Sequence, residues 1–434
     1  MSEQKKRVLL VTQYFYPENF KSNELAFELV KRGYEVDALV GIPNYPEGKY
    51  FTGYGLFKKR HEVVNGVNIY RCFQTPRGKG GWRLPVNYFT FVVFGCLRVL
   101  FHLAWKHYDC IIGHEPSPIF QAYPALLLRK IKKIPFYYWI MDLWPDAMMS
   151  GGGVKNKKIL NFVDKLVKDI YNQCDKILIT SKPFRRAINE KGDYDKKIVY
   201  YPNWSVDMSL KGSEVQKGSE SKESIEGSEG KDKFESLKCP IPALPEGFKI
   251  MVAGNLGSAQ CLDKVAEVMM ELKDMKEVKW VFVGDGSKKA WLDEFIKENG
   301  LEENAVTVGR YPADTMPMFF DQADAMLVTL KGGFRHLEMV VPARLQSYMS
   351  AGRPVLAMLG EGGAEIIEES GCGYVVPAGD SKALAQVICE KVLTDKEGFE
   401  AMGAKGRKYY EENYTLDMCI DNLVNIIENG KYQK

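Results

Sequence analysis

The run Arg335-His336-Leu337-Glu338-Met339-Val340-Val341-Pro342-Ala343-Arg344-Leu345-Gln346-Ser347-Tyr348-Met349-Ser350-Ala351-Gly352-Arg353-Pro354-Val355-Leu356-Ala357 reads as a loop, a helix and a buried strand. Pro342 suits the first helical turn, where its missing N–H costs nothing. Gly352 suits the position past the helix end, Pro354 blocks continuation, and Val355-Leu356-Ala357 resumes as an apolar strand. A helix entered from a loop has unpaired N–H groups and a partial positive charge at its start, which makes an anion site. Glu338 stands just before that start and Arg344 just inside it. An ordinary α/β crossover has the same pattern, so this stretch alone leaves both readings open.

The surrounding chain repeats the alternation. Arg7–Thr12 is an apolar run with the composition of a buried parallel strand, and Gln13–Asn23 is a loop. Glu24–Arg32 is a helix ended by Gly33, and Tyr34–Val40 is the next strand. This opening is a doubly wound unit, which places ligands in the loops at strand carboxyl ends. Strands over Val67–Cys72, Asp109–His114, Phe136–Met141, Lys176–Ser181 and Ile198–Asn203 follow, with helices over Phe120–Lys130 and Lys158–Cys174. His114, Glu115 and Asp142 therefore fall on the ligand edge of one sheet, where such residues serve structure as well as chemistry. A second series starts at Phe248–Gly254, with strands at Val278–Val283, Ala305–Arg310, Ala325–Leu330 and Gly373–Val376 and a helical tail over Lys405–Asn429. The expected domains are 1–204, a solvated Ser/Glu/Lys/Gly-rich insertion at 205–246, 247–404, and a tail at 405–434 that packs back on the first domain.

A chain of 434 residues suggests two or three domains, and 45% hydrophobic with 26% charged residues is a soluble globular composition. Met1–Arg7 is polar and holds no apolar leader core. Nine cysteines without a Cys-x-x-Cys pair indicate neither a zinc ribbon nor a disulfide frame, which points to the cytosol. The net charge of +3 hides an asymmetry: residues 1–204 hold 32 Lys and Arg against 18 Asp and Glu, a balance of +14, which leaves −11 for the remainder. A basic half meets an anionic partner or is merely solvated. No nucleic-acid recognition motif accompanies the charge, so no nucleic-acid partner is expected. The most apolar tract, Leu84–Trp105, approaches a membrane span in length but is interrupted by Pro85, Asn87, Arg98 and His102. It reads as a helix that is either buried or dipped into a membrane surface.

With these loops the layout resembles the GT-B glycosyltransferases, specifically the retaining family numbered four. The motifs that carry the likeness are Tyr14, Pro17 and the Leu25–Val36 helix–strand, Ser181 with Pro202-Asn203, the loops Gly254–Gln260, Val283–Gly286 and Val308–Arg310, and the helix ending Tyr348–Val355. Gly41–Lys49, Asp142-Leu143-Trp144-Pro145, Gly254–Gln260 and Pro342–Tyr348 are similar to the O-antigen, capsule and colanic-acid subgroup, which includes fucosaminyltransferase-like members. The resemblance implies an α/β fold of two doubly wound Rossmann-like domains facing a central cleft. It further implies a retaining transfer of a sugar, an N-acetylated amino or deoxy sugar among the candidates. The donor would be a nucleotide-diphosphate sugar and the acceptor a polyprenyl-diphosphate-linked saccharide in bacterial surface polysaccharide synthesis. The protein would then be cytoplasmic and peripheral on the inner membrane, which it would meet through the basic first domain, with no cofactor and no metal.

The resemblance also assigns residues, with departures. Asn255 and Gln260 stand where the family has Arg and Lys. Of the family's paired glutamates, the second position is Ser347 and the first is Met339, with Glu338 one residue away. The leaving diphosphate would be held by the N–H groups from Val340 and Val341 onward and by Arg344, with Arg310 and Tyr311 near the nucleotide. Glu338 would face the donor sugar and Ser347 a ribose hydroxyl, while Gly284, Asp285 and Gly286 would let the base approach the backbone. On the acceptor side stand Tyr14, Asn23, Asn44, Tyr45 and Glu115, with His114 or Asp142 orienting the sugar and moving its proton. Asp193-Tyr194-Asp195 matches a metal-holding Asp-x-Asp but lies in a turn. Two other functions fit the layout: a nucleotide-sugar epimerase, and a non-catalytic two-lobed sugar-nucleotide-binding protein.

Overall fold

The computed structural model describes residues 5–78, 81–210 and 241–429. It divides into two compact units, one holding the chain up to Tyr201 with the tail from Ile420, the other Pro202–Cys419. The chain therefore leaves the first unit three residues before the expected boundary. The described ends of the expected 205–246 insertion pack in the second unit. Ser205 N donates to Tyr414 O (3.1 Å), Asp207 pairs with Arg407 (2.6 Å), and Ile241 and Leu244 lie on the core. Its middle, 211–240, lies outside the described residues.

The first unit is an eight-stranded sheet: β1 (Arg7–Val11), β2 (Glu35–Val40), β3 (His61–Val64), β4 (Val67–Arg71), β5 (Cys110–Glu115), β6 (Phe136–Ile140), β7 (Lys176–Ile179) and β8 (Ile198–Tyr200), in the order β3-β4-β2-β1-β5-β6-β7-β8. All neighbours are parallel except the β3–β4 hairpin at one edge. The central strands are buried almost throughout and mostly apolar, because helices cover both faces of a parallel sheet; His114 and Glu115 at the end of β5 are the buried polar exceptions. Six helices join them: α1 (Lys21–Lys31), α2 (Arg83–Phe101), α3 (Tyr123–Lys132), α4 (Asp146–Gly152), α5 (Lys157–Gln173) and α6 (Phe184–Asn189). Strand order reverses between β1 and β5, which opens a crevice at their carboxyl ends. Four Xaa–Pro bonds, at Pro17, Pro46, Pro118 and Pro145, are cis and follow β1, β2, β5 and β6.

The second unit is a six-stranded parallel sheet: β9 (Phe248–Ala253), β10 (Val278–Val283), β11 (Ala305–Gly309), β12 (Ala325–Thr329), β13 (Val355–Leu359) and β14 (Gly373–Pro377), in the order β11-β10-β9-β12-β13-β14. Its switch point lies between β9 and β12. The helices are α7 (Leu262–Glu271), α8 (Lys289–Glu298), α9 (Met316–Asp321), α10 (Arg335–Met339), α11 (Ala343–Ser350), α12 (Glu361–Ser370), α13 (Ser381–Val387), α14 (Lys396–Asn413) and α15 (Leu416–Asn429). Two corrections apply to the opening stretch. Arg335–Met339 is a short helix rather than a loop, and Pro342 is the residue before the first turn of α11 rather than within it. The tail is also two helices. α14 and the start of α15 stay with the second unit, and only from Ile420 does the chain rejoin the first, where Asp421 meets Arg32 (2.9 Å) and Glu428 meets Tyr34 (2.7 Å).

Candidate active site

In the second unit, the loops at the carboxyl ends of β9, β10, β11 and β12 are tied to one another by main-chain bonds. Gly254 N donates to Val283 O (2.8 Å), Leu256 N to Asp285 O (2.9 Å), Gly284 N to Gly309 O (2.7 Å) and Lys331 N to Ala259 O (2.9 Å). The segment after β12 folds back, with Gly333 N donating to the Glu338 carboxylate (2.9 Å). The turns of α11 aim three faces. Arg344 and Tyr348 share the face toward β9: Arg344 Nη2 donates to Asn255 O (3.1 Å), and the buried Tyr348 hydroxyl donates to Ala253 O (3.1 Å). Leu345 and Met349 enter the core. Ser347 and Ser350 turn to the incoming segment, where Ser347 Oγ lies 3.0 Å from Ser205 Oγ and Ser350 Oγ takes the Met208 N–H (3.2 Å).

This arrangement gathers Asn255, Gln260, Gly284, Asp285, Gly286, Glu338 and Arg344 into one loop cluster around the β9–β12 switch point. Arg310 and Tyr311 follow β11 at the far edge of the sheet, Arg310 exposed and Tyr311 against Phe319 (4.9 Å). Val341 and Met339 point into the core, so Val341 can offer a ligand its backbone but not its side chain. The glycines have a use not foreseen. A Cβ on Gly284 would lie 1.9 Å from Gly254 O, and one on Gly286 2.5 Å from Leu256 C. They let two protein loops close on each other.

In the first unit the β1 loop, the β2 loop, α2 and the ends of β5 and β6 build a second cluster. Glu18, buried, joins the first two loops. Its carboxylate accepts the N–H groups of Asn44 (2.7 Å), Tyr45 (2.6 Å) and Phe15 (3.3 Å), while Asn23 Nδ2 donates to Glu18 O (2.7 Å). Tyr14, Phe20 and Tyr45 pack ring on ring with centroids 5.1–5.7 Å apart. Arg77 lies over Tyr45 (5.4 Å), donates to the Tyr14 hydroxyl (3.3 Å), and gives its N–H to Asn44 Oδ1 (2.9 Å). Tyr88 of α2 neighbours Tyr14, Glu115 and Asp142.

The acid–base candidates His114 and Asp142 and the acceptor-side Glu115 are not equivalent. His114 is buried against Trp139 (4.7 Å), and desolvation pushes its pKa down to about 3, so the ring is neutral. Glu115 is wholly buried; desolvation first and the Asp142 charge second raise its carboxyl well above the usual range, although it accepts from Asp142 N (3.1 Å) and Met141 N (3.2 Å). Asp142 is the one of the three that is only partly buried. Asp195 of the Asp-x-Asp is engaged by Arg185 (2.5 Å) and Asn189 (3.1 Å), as in a solvated turn. Among the described residues no three His, Cys, Asp or Glu are grouped to hold a metal ion.

Sequence reading missed Glu18, Arg77 and Tyr88. Glu18 and Arg77 sit in loops that meet only through the tertiary fold, and Tyr88 is one aromatic among many in an apolar tract. Glu18 carries a testable consequence. Desolvation raises its pKa to about 7 from an ordinary 4.5, so the folded chain keeps a proton that the unfolded chain releases. Stability therefore falls as pH rises through that window. Glu18→Gln, which retains a carbonyl acceptor, is expected to flatten the pH dependence of the unfolding free energy from urea titrations there by on the order of 1–3 kcal/mol. An unchanged slope would contradict this.

Comparison with known proteins agrees with the geometry. The family described as glycosyl transferase 4-like domain matches residues 21–204, and that described as glycosyl transferases group 1 matches 247–394. Pseudomonas aeruginosa WbjE, named a glycosyltransferase, is 24% identical over 323 residues, covering 72% of each chain. Escherichia coli WcaI, named a colanic acid biosynthesis glycosyl transferase, is 24% identical over 336 residues, covering 76% of this chain and 77% of its own. Anabaena HepE, solved in complex with UDP, superimposes with a TM-score of 0.64 at 14% identity, covering 98% of this chain and 99% of its own. Two Rossmann-like units, a loop cluster at each switch point and family matches over both units identify the chain as a GT-B glycosyltransferase of the family 4 type.

Proposed function

We propose that the protein transfers a sugar from a nucleotide-diphosphate sugar to a polyprenyl-diphosphate-linked saccharide in bacterial surface polysaccharide synthesis, with retention, at the cytoplasmic face of the inner membrane. The observation that carries the donor half is Arg344 on the Asn255 carbonyl, at the head of α11 and beside the glycine loops (3.1 Å). A leaving diphosphate there meets a guanidinium and the first N–H groups of a helix, which offset the charge that develops as the glycosidic bond breaks. UDP-bound HepE, similar in fold, supports a nucleotide ligand. The name of WcaI supports the polysaccharide context.

In the acceptor half, Tyr14, Tyr45 and Arg77 offer aromatic faces and a cation, suited to a sugar and an attached phosphate. Asp142 takes the orienting role at the acceptor hydroxyl. His114, neutral and buried, supports the strand end from beneath. In the retaining route the departing phosphate itself accepts the hydroxyl proton. Ser347, turned to Ser205, leaves the ribose hydroxyls to other groups of the loop cluster.

Incubation with a panel of nucleotide sugars, with and without a lipid-linked monosaccharide, tests the proposal. Nucleotide release that requires acceptor is the expected result. Interconversion of the donor without acceptor would mean an epimerase, and tight donor binding without turnover a binding protein.

A further inference from the structure

α2 has two apolar faces, and only one of them is used. Asn87, Tyr88, Phe91, Gly95 and Val99 are buried on the domain. That side is also held by polar bonds: Gln13 Nε2 donates to Asn87 Oδ1 (2.7 Å), Asn87 Nδ2 to Thr75 O, and Thr75 N to Thr90 Oγ1 (3.0 Å). The opposite side carries Val86, Phe89, Leu97, Leu100 and Phe101, all exposed, at the spacing of one helical face, and exposed Trp82 and Trp105 flank the helix just before its start and in the short turn after its end. Phe89 is 66% exposed, Phe101 79% and Trp105 84%. Within α2 the stripe from Val86 to Phe101 runs about 23 Å. The helix is long and apolar enough to cross a membrane, yet its docked face fixes it to the sheet, so it can lie on a bilayer but not thread it.

The charge around the stripe says what covers it. Residues 48–108 hold ten Lys and Arg and a single carboxylate, Glu62, which is itself paired to Arg71 (2.6 Å). Arg98 Nη2 donates to Arg60 O (3.3 Å), which brings the loop Leu56-Phe57-Lys58-Lys59-Arg60 alongside α2. On that loop Phe57 is 89% exposed, next to exposed Lys58 and Lys59. Large aromatics between cations match a headgroup region, with rings at the acyl boundary and ammonium groups on phosphates. A second copy docked symmetrically would set this basic surface against itself.

We infer that the outer face of α2, with the Phe57–Arg60 loop, is an in-plane docking surface for an anionic phospholipid bilayer. The inference rests on the lipid-linked-acceptor reading for its purpose, though not for its observations. It gives that reading a geometry, because the inner face of the same helix supplies Asn87 and Tyr88 to the acceptor cluster. A helix lying at the headgroup level thus brings Tyr14, Arg77 and Asp142 to the depth where a lipid diphosphate sits.

The test is flotation of the full chain with phosphatidylcholine vesicles, with and without about 30% phosphatidylglycerol, a content that sets a substantial negative surface potential. The wild type should float with the anionic vesicles and much less with the neutral ones. Combined Phe89→Glu, Phe101→Glu and Trp105→Glu should lower the partition at least about tenfold with the thermal midpoint nearly kept, since these side chains are mostly exposed. Lys58→Glu with Lys59→Glu should remove the anionic preference, and Phe162→Glu, on an exposed apolar residue elsewhere, should change nothing. Equal partition of wild type and triple variant would overturn the surface. So would a wild-type dimer that the triple variant turns into monomer without any vesicle binding. If the triple variant loses vesicles but no lipid-linked acceptor is ever glycosylated, the surface stands and the acceptor reading falls.

Discussion

Arg344→Ala should leave the protein folded and lower turnover with its nucleotide-sugar donor by about 10²–10³-fold, the usual cost of removing one donor aimed at developing charge. The side chain is half-buried, donates from Nη2 to Asn255 O (3.1 Å) and interacts with the Tyr348 hydroxyl, while its buried Nη1 makes no close hydrogen bond. A guanidinium with a buried N–H still lacking a close acceptor has donor capacity left for a ligand, and an oxyanion at the head of α11 would take it up. Arg344→Lys keeps the charge but not the fork, and should recover part of the loss. The loss should appear in kcat more than in KM, because the diphosphate gains charge as the bond breaks. Steady-state kinetics with both variants measure this. Turnover within about threefold of wild type in Arg344→Ala would remove the diphosphate role, since one lost charge-assisted contact is worth more.

What was legible in the chain was what periodicity and turn chemistry encode. Apolar runs such as Ile250–Ala253 and Val281–Val283 can sit only as strands covered on both faces, and two such series mean two doubly wound sheets. Strand carboxyl ends then name the ligand edges, which is why Asp142 and the Gly254–Gln260 loop could be placed before any coordinates. The β3 edge was not legible, because His61-Glu62-Val63-Val64 is short, polar and half-exposed. Nor was the division of the tail, since Tyr414 interrupts the helical pattern without a glycine or proline. Ser347 shows the limit most clearly. Its position in the motif suggested a ligand contact, yet its hydroxyl meets Ser205, a residue 142 positions away in sequence that motif spacing does not see. Glu18 was silent for the same reason, because its three donors come from two loops.

Gly284→Ala should be among the most destabilising single-methyl changes in the second unit, at about 3–5 kcal/mol, and should abolish nucleotide binding with it. The new Cβ would fall 1.9 Å from Gly254 O and 2.9 Å from Gly254 C, both main-chain atoms with no rotamer to move to. Retreat is blocked as well. Gly254 N is bonded to Val283 O (2.8 Å) and Gly284 N to Gly309 O (2.7 Å), so shifting either loop breaks the ladder that holds three strand ends together. Part of the effect is conformational, because Gly284 has φ +140°, a region L side chains rarely enter. Gly309→Ala separates the two contributions. Gly309 also has positive φ (+81°) and lies on the same edge, but a Cβ there meets nothing within 4 Å. It should cost only about 1–2 kcal/mol, the backbone share alone. Urea denaturation of the two variants, with nucleotide titration of whatever remains folded, therefore isolates the close approach of the loops. If Gly284→Ala were no less stable than Gly309→Ala, the loops would have room to part. The cradle that positions Arg344 over Asn255 would then not depend on the glycine that lets it close.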